Sequence, residues 1–386
     1  MKNEIVKTFY YKGSQSIADI SRGVHKSIPN VTKSVNAMVD DGILLKNGHA
    51  PSTGGRRAAH YLLNPTNCPY FITVAIDQYS ASAALLDIHN NFIIKPVVIQ
   101  NPLNEKSAFN NLTKLIQTIV QKANCPLSKI GNIAITIPGF VDCNTGINDS
   151  FPKQSPFYNL PHSLQKKLGI KTYIENDSSA IATAENKFGL AKESPNALVI
   201  NLNWGVGLGI IVDNKLFTGH NGFAGEFSHI PLSDNNTLCS CGKKGCLEVE
   251  ASLLAIIKDI KQQIDDGETS LLKDKVNKSV LKSGEAVIEA VNRGDQLAIG
   301  AVNKASYMLG KGVATLIHIL NPQSIIISGR GAKLGSILLS QIHSAIFEFA
   351  IPSLAAQSEI LISNSPDTMQ LLGSMCLGVE QFDWEN

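Results

Sequence analysis

Apolar residues fall into two different patterns on either side of residue 65. Before it they recur at helical spacing. Ile5, Val6 and Phe9 share one helical face, and Ser16–Ser21 reads as a short second helix left near Gly23. A third helix starts at Ser27, an N-cap residue type, with Pro29 in its first turn. Val31, Val35, Met38 and Val39 then recur every three or four residues and face inward. That leaves Asn30, Thr32, Lys33, Ser34 and Asn36 at or near the outer face, and Gly42 closes the helix. Ile43–Leu45 and Tyr61–Leu63 pair as strands around a loop that ends in Gly54-Gly55-Arg56-Arg57, and Asn64–Pro69 reads as a linker.

From Tyr70 onward the apolar runs are short and unbroken. Phe71–Ile76, Ala83–Leu86 and Phe92–Ile94 predict an antiparallel meander, followed by a helix over Phe109–Ala123 and a strand over Ile130–Ile137 that ends in Pro138-Gly139. A like order returns with Ala197–Leu202, Gly209–Val212, further helices and Ile325–Gly329. Two similar α/β halves predict an internally duplicated fold with a cleft between two lobes, and such folds place their ligands at strand ends. Asn176 and Asp177 stand at one such end, between a short strand over Lys171–Ile174 and a helix over Ala180–Phe188. Asp177 taken alone is a helix N-cap. Glu226 and His229 in the stretch Gly222–His229, and Glu248 further on, add two carboxylates and an imidazole. Carboxylates, an amide and an imidazole arrayed in one cleft suit a polyol such as a sugar.

Charge sharpens the division. The net charge is only +2, yet residues 1–65 hold nine Lys/Arg against four Asp/Glu, while the remainder is slightly acidic. A small basic head on a mildly acidic body points the head at a polyanion. Three helices and a hairpin predict a winged helix-turn-helix that binds double-stranded operator DNA. Ser27, Asn30, Thr32, Lys33, Ser34 and Asn36 would meet base edges and phosphates, and Arg56 and Arg57 would meet a minor groove or phosphates. A three-helix module for protein contacts fits the same elements. No apolar h-region follows Met1 and no apolar run approaches a membrane span, which with isolated Cys68, Cys125, Cys143 and Cys376 predicts a reducing cytoplasm.

Three of the seven cysteines crowd into Cys239-Ser240-Cys241-Gly242-Lys243-Lys244-Gly245-Cys246, ten residues after His229. Three thiolates and an imidazole suit a four-coordinate structural zinc held by His229, Cys239, Cys241 and Cys246. The alternative, a disulfide with a stray thiol, strains a Cys-x-Cys spacing.

These residues resemble the ROK family, which groups sugar kinases with sugar-responsive transcriptional regulators. The family's zinc motif C-x-C-G-x-x-G-C-x-E is matched from Cys239 to Glu248. Its E-N-D motif is matched by Glu175-Asn176-Asp177, and E-x-G-H by Glu226-Phe227-Ser228-His229 with serine for glycine. Pro138–Asp142 and Thr145-Gly146 resemble its cleft loop, and Gly54–Arg57 resembles the G-G-R-P wing of the regulators. The resemblance implies an actin-like, hexokinase-type duplicated α/β domain over residues 70–386, preceded by the winged head over 1–65. The lobes would span about 70–180 plus the C-terminal helix, and about 181–370. It implies Asn176, Asp177, Glu226, His229 and Glu248 as sugar ligands, with Asp177 at the position of the kinase base, and a homodimer or dimer of dimers.

The phosphate side departs from the kinases. Asp77-Gln78-Tyr79-Ser80 stands where D-x-G-G-T is expected, Trp204 takes the Thr position of G-T-G-x-G, and Arg330 lies among the glycines of the third loop. Phosphoryl transfer depends on positioning and charge stabilisation, so these changes predict a non-enzymatic regulator, a repressor of carbohydrate genes answering to a sugar or sugar phosphate. An ATP-dependent sugar kinase that retains a DNA-binding head is the alternative.

Overall fold

The computed structural model describes residues 1–49, 58–276 and 279–385. The head consists of α1 (Lys2–Lys12), β1 (Gln15–Ser16), α2 (Ile17–Gly23), α3 (Ile28–Asp40), β2 (Leu44–His49) and β3 (Ala59–Leu63). Its strands form an antiparallel sheet in the order β1-β3-β2. Ser16 caps α2 through a capping box with Asp19. Ser27 holds the N-cap position of α3, but its hydroxyl makes no cap bond. Val31, Val35 and Met38 are buried as the spacing predicts, whereas Val39 is only half-buried. Arg56 and Arg57 lie outside the described residues.

The body opens with β4 (Tyr70–Ile76), β5 (Ser80–Leu86), β6 (Phe92–Gln100), α4 (Ala108–Ala123), β7 (Ile130–Ile137), the hairpin β8 (Val141–Asp142) and β9 (Ile147–Asn148), α5 (Leu160–Leu168), β10 (Thr172–Asn176) and α6 (Asp177–Phe188). It continues with β11 (Ala197–Leu202), β12 (Val206–Val212), β13 (Lys215–Phe217), α7 (Glu248–Ala251), α8 (Leu253–Asp265), α9 (Val280–Asn292), α10 (Gln296–Leu320), β14 (Ser324–Ser328), α11 (Ser336–Phe349), α12 (Pro352–Ala355), β15 (Glu359–Ile362) and α13 (Pro366–Gln381). One sheet runs β6-β5-β4-β7-β10 and the other β13-β12-β11-β14-β15. In each, an antiparallel meander is extended by two parallel strands, so the duplication read from the apolar runs is a duplication of topology. The strand expected over Phe92–Ile94 continues through Pro96 to Gln100, which an edge strand tolerates because proline lacks only an outward N–H.

Head and body share a core. Ile5, Val6, Phe9 and Tyr10 of α1 belong to one apolar cluster with Phe71 of β4, Leu371, Met375 and Val379 of α13, and Trp384. Tyr11 donates to Glu380 at 2.9 Å, Lys7 pairs with the same carboxylate, and the Trp384 N–H donates to Asn3. The stretch read as a linker is packed. Asn64 Nδ2 donates to the Gly42 carbonyl at 2.8 Å, Cys68 is buried, and Lys129 donates to the carbonyls of Thr66 and Cys68.

Candidate functional site

A cavity of about 820 Å³ opens between the two sheets. Parallel strands β7 and β10 deliver Pro138-Gly139 and Asn176-Asp177 to its floor, and the β11–β12 turn delivers Asn203, Trp204 and Gly205 to its far side. The N-cap of α6 is Asn176, whose Oδ1 accepts from the N–H groups of Ser178 and Ser179 while its Nδ2 donates to the Gly139 carbonyl at 3.0 Å. Asp177 is therefore relieved of the capping role that a lone aspartate suggests. Its carboxylate accepts from Ser178 and, at 3.1 Å, from Asn201 Nδ2. Burial pushes the Asp177 carboxyl up to about 6, and the nearby Asp77 carboxylate adds to the shift.

The opposite wall is the cysteine loop. Glu226, His229 and Glu248 all line the cavity with Asn176 and Asp177, so the five predicted sugar ligands come together. Glu226 lies 3.7 Å from His229 Nε2, and burial raises its carboxyl above the usual range, with the Glu248 charge raising it further. Glu248 approaches so closely that a Cβ on Gly205 would sit 2.8 Å from its Oε2, so the glycine makes room for the carboxylate. Of the loop resembling the family's cleft loop, Pro138, Gly139, Phe140 and Val141 line the cavity; Asp142 is spent on its own turn with Asn144 and Thr145.

His229, Cys239, Cys241 and Cys246 present donor atoms that all lie within 4.8 Å of one another, and they could hold a metal ion. Cys241 Sγ and Cys246 Sγ are 3.6 Å apart, as are Cys239 Sγ and His229 Nδ1. A tetrahedral site with metal–sulfur bonds of about 2.3 Å needs sulfurs roughly 3.8 Å apart, so the cluster fits. With Nδ1 turned to the sulfurs, Nε2 of the same ring faces Glu226 in the cavity.

Around the β11–β12 turn the side chains are dense. Trp204 is 2% exposed and stacks edge-on against Tyr79, with ring centroids 5.6 Å apart. The Arg330 guanidinium lies 5.1 Å above its ring and pairs at 2.9 Å with Asp77, which also caps its own hairpin through the N–H groups of Tyr79 and Ser80. Gly284 of α9 meets the far edge of the indole, where a Cβ would fall 2.7 Å from the ring. The cavity also enlists one residue the sequence does not flag. Asn201, which orients Asp177, is a polar residue inside an otherwise apolar strand, and that interruption is the one signal that could have found it. Phe140 and Phe223 pair edge-on, with centroids 5.6 Å apart.

On the head, Ser27, Asn30, Lys33 and Asn36 are exposed along α3. Thr32 and Ser34 are half-buried, and the Thr32 hydroxyl donates to the Ile28 carbonyl one turn back. No helix among the described residues is long and apolar enough to cross a membrane.

Residues 81–380 match the ROK family. The chain is 27% identical over 361 residues to the xylose repressor of Bacillus spizizenii, covering 93% of this chain and 89% of that one. It is 27% identical over 356 residues to the DNA-binding transcriptional dual regulator NagC of Escherichia coli, covering 90% and 84%. Among solved structures, a ROK family transcriptional regulator described as a homologue of the E. coli MLC protein superposes with a TM-score of 0.76 at 25% identity, covering 98% of this chain and 96% of that one. A ROK family glucokinase from Streptomyces griseus, in complex with glucose and AMPPNP, shares the fold of the body alone, with a TM-score of 0.70 at 24% identity over 80% of this chain. A duplicated α/β body, a clustered His-Cys-Cys-Cys loop at its cleft and a matching span of 300 residues converge on one assignment: this chain belongs to the ROK family.

Proposed function

We propose that the chain is a sugar-responsive transcriptional repressor of carbohydrate genes. Its head binds double-stranded operator DNA as a homodimer or dimer of dimers, and its cleft binds the effector. One observation carries the reading. Helix α6 begins at Asp177 in the cleft and ends at Lys187 and Phe188 beneath α1 of the head, about 18 Å away at 1.5 Å per residue. The sugar site and the DNA-facing domain thus share a rigid element. A ligand that binds one tilt of α6 better than another shifts the head by that difference in affinity.

Within that reading Asn176, Asp177, Glu226, His229 and Glu248 hold sugar hydroxyls. Ser27, Asn30, Thr32, Lys33, Ser34 and Asn36 meet the operator, joined by Arg56 and Arg57 of the wing. His229, Cys239, Cys241 and Cys246 hold a structural zinc, whose chemistry is to fix the loop that bears Glu226, His229 and Glu248. The relatives named as a xylose repressor and as a DNA-binding transcriptional dual regulator support the regulatory sense. Where a kinase needs phosphate donors, Trp204 fills the turn, and Arg330 is committed to Asp77 and to the indole face, which argues against phosphoryl transfer.

The test is operator binding with and without candidate sugars, using promoter fragments of carbohydrate uptake and catabolism genes. Salt-dependent binding, weakened by Lys33→Ala and altered by one sugar, is expected. A kinase reading draws on Asp177, a cleft carboxylate with a raised pKa. Sustained turnover with ATP, magnesium and a hexose, abolished by Asp177→Asn, would overturn the non-enzymatic reading in favour of a kinase that retains a DNA-binding head.

A further inference from the structure

The two lobes meet beside the cavity through side chains that each lobe holds in place. Asp77 lies in the β4–β5 turn of the first sheet, and Arg330 follows β14 of the second. Their ion pair spans 2.9 Å, with the aspartate side chain 8% and the arginine 21% exposed. Next to it, Tyr79 of the first lobe meets Trp204 of the second edge-on. Neither charge is free to follow the other. The Asp77 carboxylate accepts from the N–H groups of Tyr79 and Ser80 and from the Ser80 hydroxyl, all of its own hairpin. The Arg330 guanidinium lies on the Trp204 ring, and Gly329 and Gly331 on either side of it fit against Asn201 and Leu202 with no room for a Cβ. Two further polar contacts between the lobes, Lys333 to Asp367 and Gln100 to Ser279, are exposed, and exposed pairs contribute little. The lobes also share a helix crossing. Helix α6 is seated on β12 of the second sheet, where Gly207 and Gly209 admit Ser178 and Ala182. Helix α13 is bonded to the first sheet through Gln370 and Ser374, and Gly373 fits against the Ala180 carbonyl of α6 only because it lacks a Cβ. That close approach sets the separation of the two helices and leaves their crossing angle to other contacts.

We infer that Asp77, Tyr79, Trp204 and Arg330 are a clasp that fixes the resting angle between the lobes. Resting on the repressor reading above, the clasp thereby sets the operator affinity of the effector-free protein, since α6 moves with the second lobe and reaches the head. Any change of lobe angle has to part a largely buried ion pair, whose charges then need water or new partners. The clasp therefore holds the cleft in one state until an effector that prefers another offsets that cost.

Pulsed electron paramagnetic resonance on the full-length, metal-loaded protein tests the clasp. Spin labels attached to a ketone-bearing amino acid at Lys166 of α5 and at Lys261 of α8, both exposed and on opposite lobes, leave the cysteines untouched. The parent should give one narrow distance. Arg330→Met keeps an aliphatic chain beside Trp204 and removes the ion pair, and it should widen the distribution at least about twofold or add a second distance. Lys333→Ala, which removes the exposed pair with Asp367, should leave the distribution as in the parent. An unchanged distribution in Arg330→Met, or an equal widening in Lys333→Ala, overturns the inference. If Arg330→Met does not fold, Asp77→Asn takes its place, because the amide oxygen still accepts from Tyr79 and Ser80. Anisotropy on labelled operator without sugar reads the consequence. Affinity should shift at least about fivefold in Arg330→Met and stay within about twofold of the parent in Lys333→Ala. Widened lobes with unchanged operator affinity overturn the regulatory part of the inference. A parent that binds no operator fails the repressor reading itself, and the distance measurement alone then decides the clasp.

Discussion

Phe188→Ala isolates the link between cleft and head. The Phe188 ring closes the last turn of α6 against Tyr10, with centroids 5.6 Å apart and planes at 80°, and against Tyr11 at 6.1 Å. Aromatic pairs of this kind contribute about 0.5–1.5 kcal/mol each beyond their buried area, so truncation removes about 1–3 kcal/mol of contact between α6 and α1. Coupling free energies in allosteric proteins are of that size, corresponding to about 5–150-fold in affinity. The head remains docked through other contacts, because Ile5, Val6 and Phe9 pack against α13, and Lys7 and Tyr11 hold Glu380. The expected result is a decoupled protein. Sugar affinity without DNA stays within about twofold of the parent, while the ratio of operator affinities with and without saturating sugar moves at least about fivefold towards unity. Fluorescence anisotropy on labelled operator reads the ratio, and calorimetry reads the sugar. Tyr11→Phe is the control, since it deletes a bond to α13 and leaves the α6 contact in place. If Phe188→Ala leaves the ratio untouched while lowering the thermal midpoint, α6 carries no signal and the route from cleft to head runs elsewhere.

The remaining expectations concern the metal, the buried indole and the cleft carboxylate. Purified protein should carry about one zinc per chain by elemental analysis, and Cys241→Ser should lose it and blunt the sugar response before the fold is lost; full response without metal would refute the assignment. Trp204→Thr should cost about 3–5 kcal/mol in urea denaturation, since it empties a site walled by Tyr79, Arg330 and Gly284, and it should still give no turnover with ATP because Arg330 keeps its pairing with Asp77; a loss under about 1 kcal/mol would contradict the packing. Asp177, pushed up to about 6 from an ordinary 3.8, holds a proton in the folded chain that the unfolded chain has already released between those values. Its contribution to stability therefore falls as pH rises through that window, and Asp177→Asn should flatten that segment of the stability profile. Sugar hydroxyls donate to the ionised form, so sugar affinity should weaken as pH falls below about 6, and a flat affinity profile between pH 5 and 7 would count against Asp177 as a ligand.

What the chain discloses in advance is whatever repeats or clusters locally. The inward face of α3 follows from Val31, Val35 and Met38 at helical spacing, and the thiol cluster follows from three cysteines in one tight loop. What it conceals depends on partners far along the chain. Asp77 and Arg330 stand 253 residues apart, and nothing near either one indicates that they pair beneath Trp204. Glu185 is similar: a fully buried carboxylate in α6 accepts from the hydroxyls of Ser328 and Ser363, yet its neighbours read as an ordinary helix. Asn64–Pro69 has the composition of a tether, and only the captures by Gly42 and Lys129 make it a fixed joint.

That joint bears on how the protein can be rebuilt. Met1 N lies 3.1 Å from the Glu385 carboxylate, so residues 1 and 385 meet at the seam between head and body. A head exchanged between relatives by cutting near residue 65 would leave behind Glu380, Trp384 and Glu385, the surface on which it was seated. A working chimaera has to import the last turn of α13 and the segment through Glu385 along with the new head.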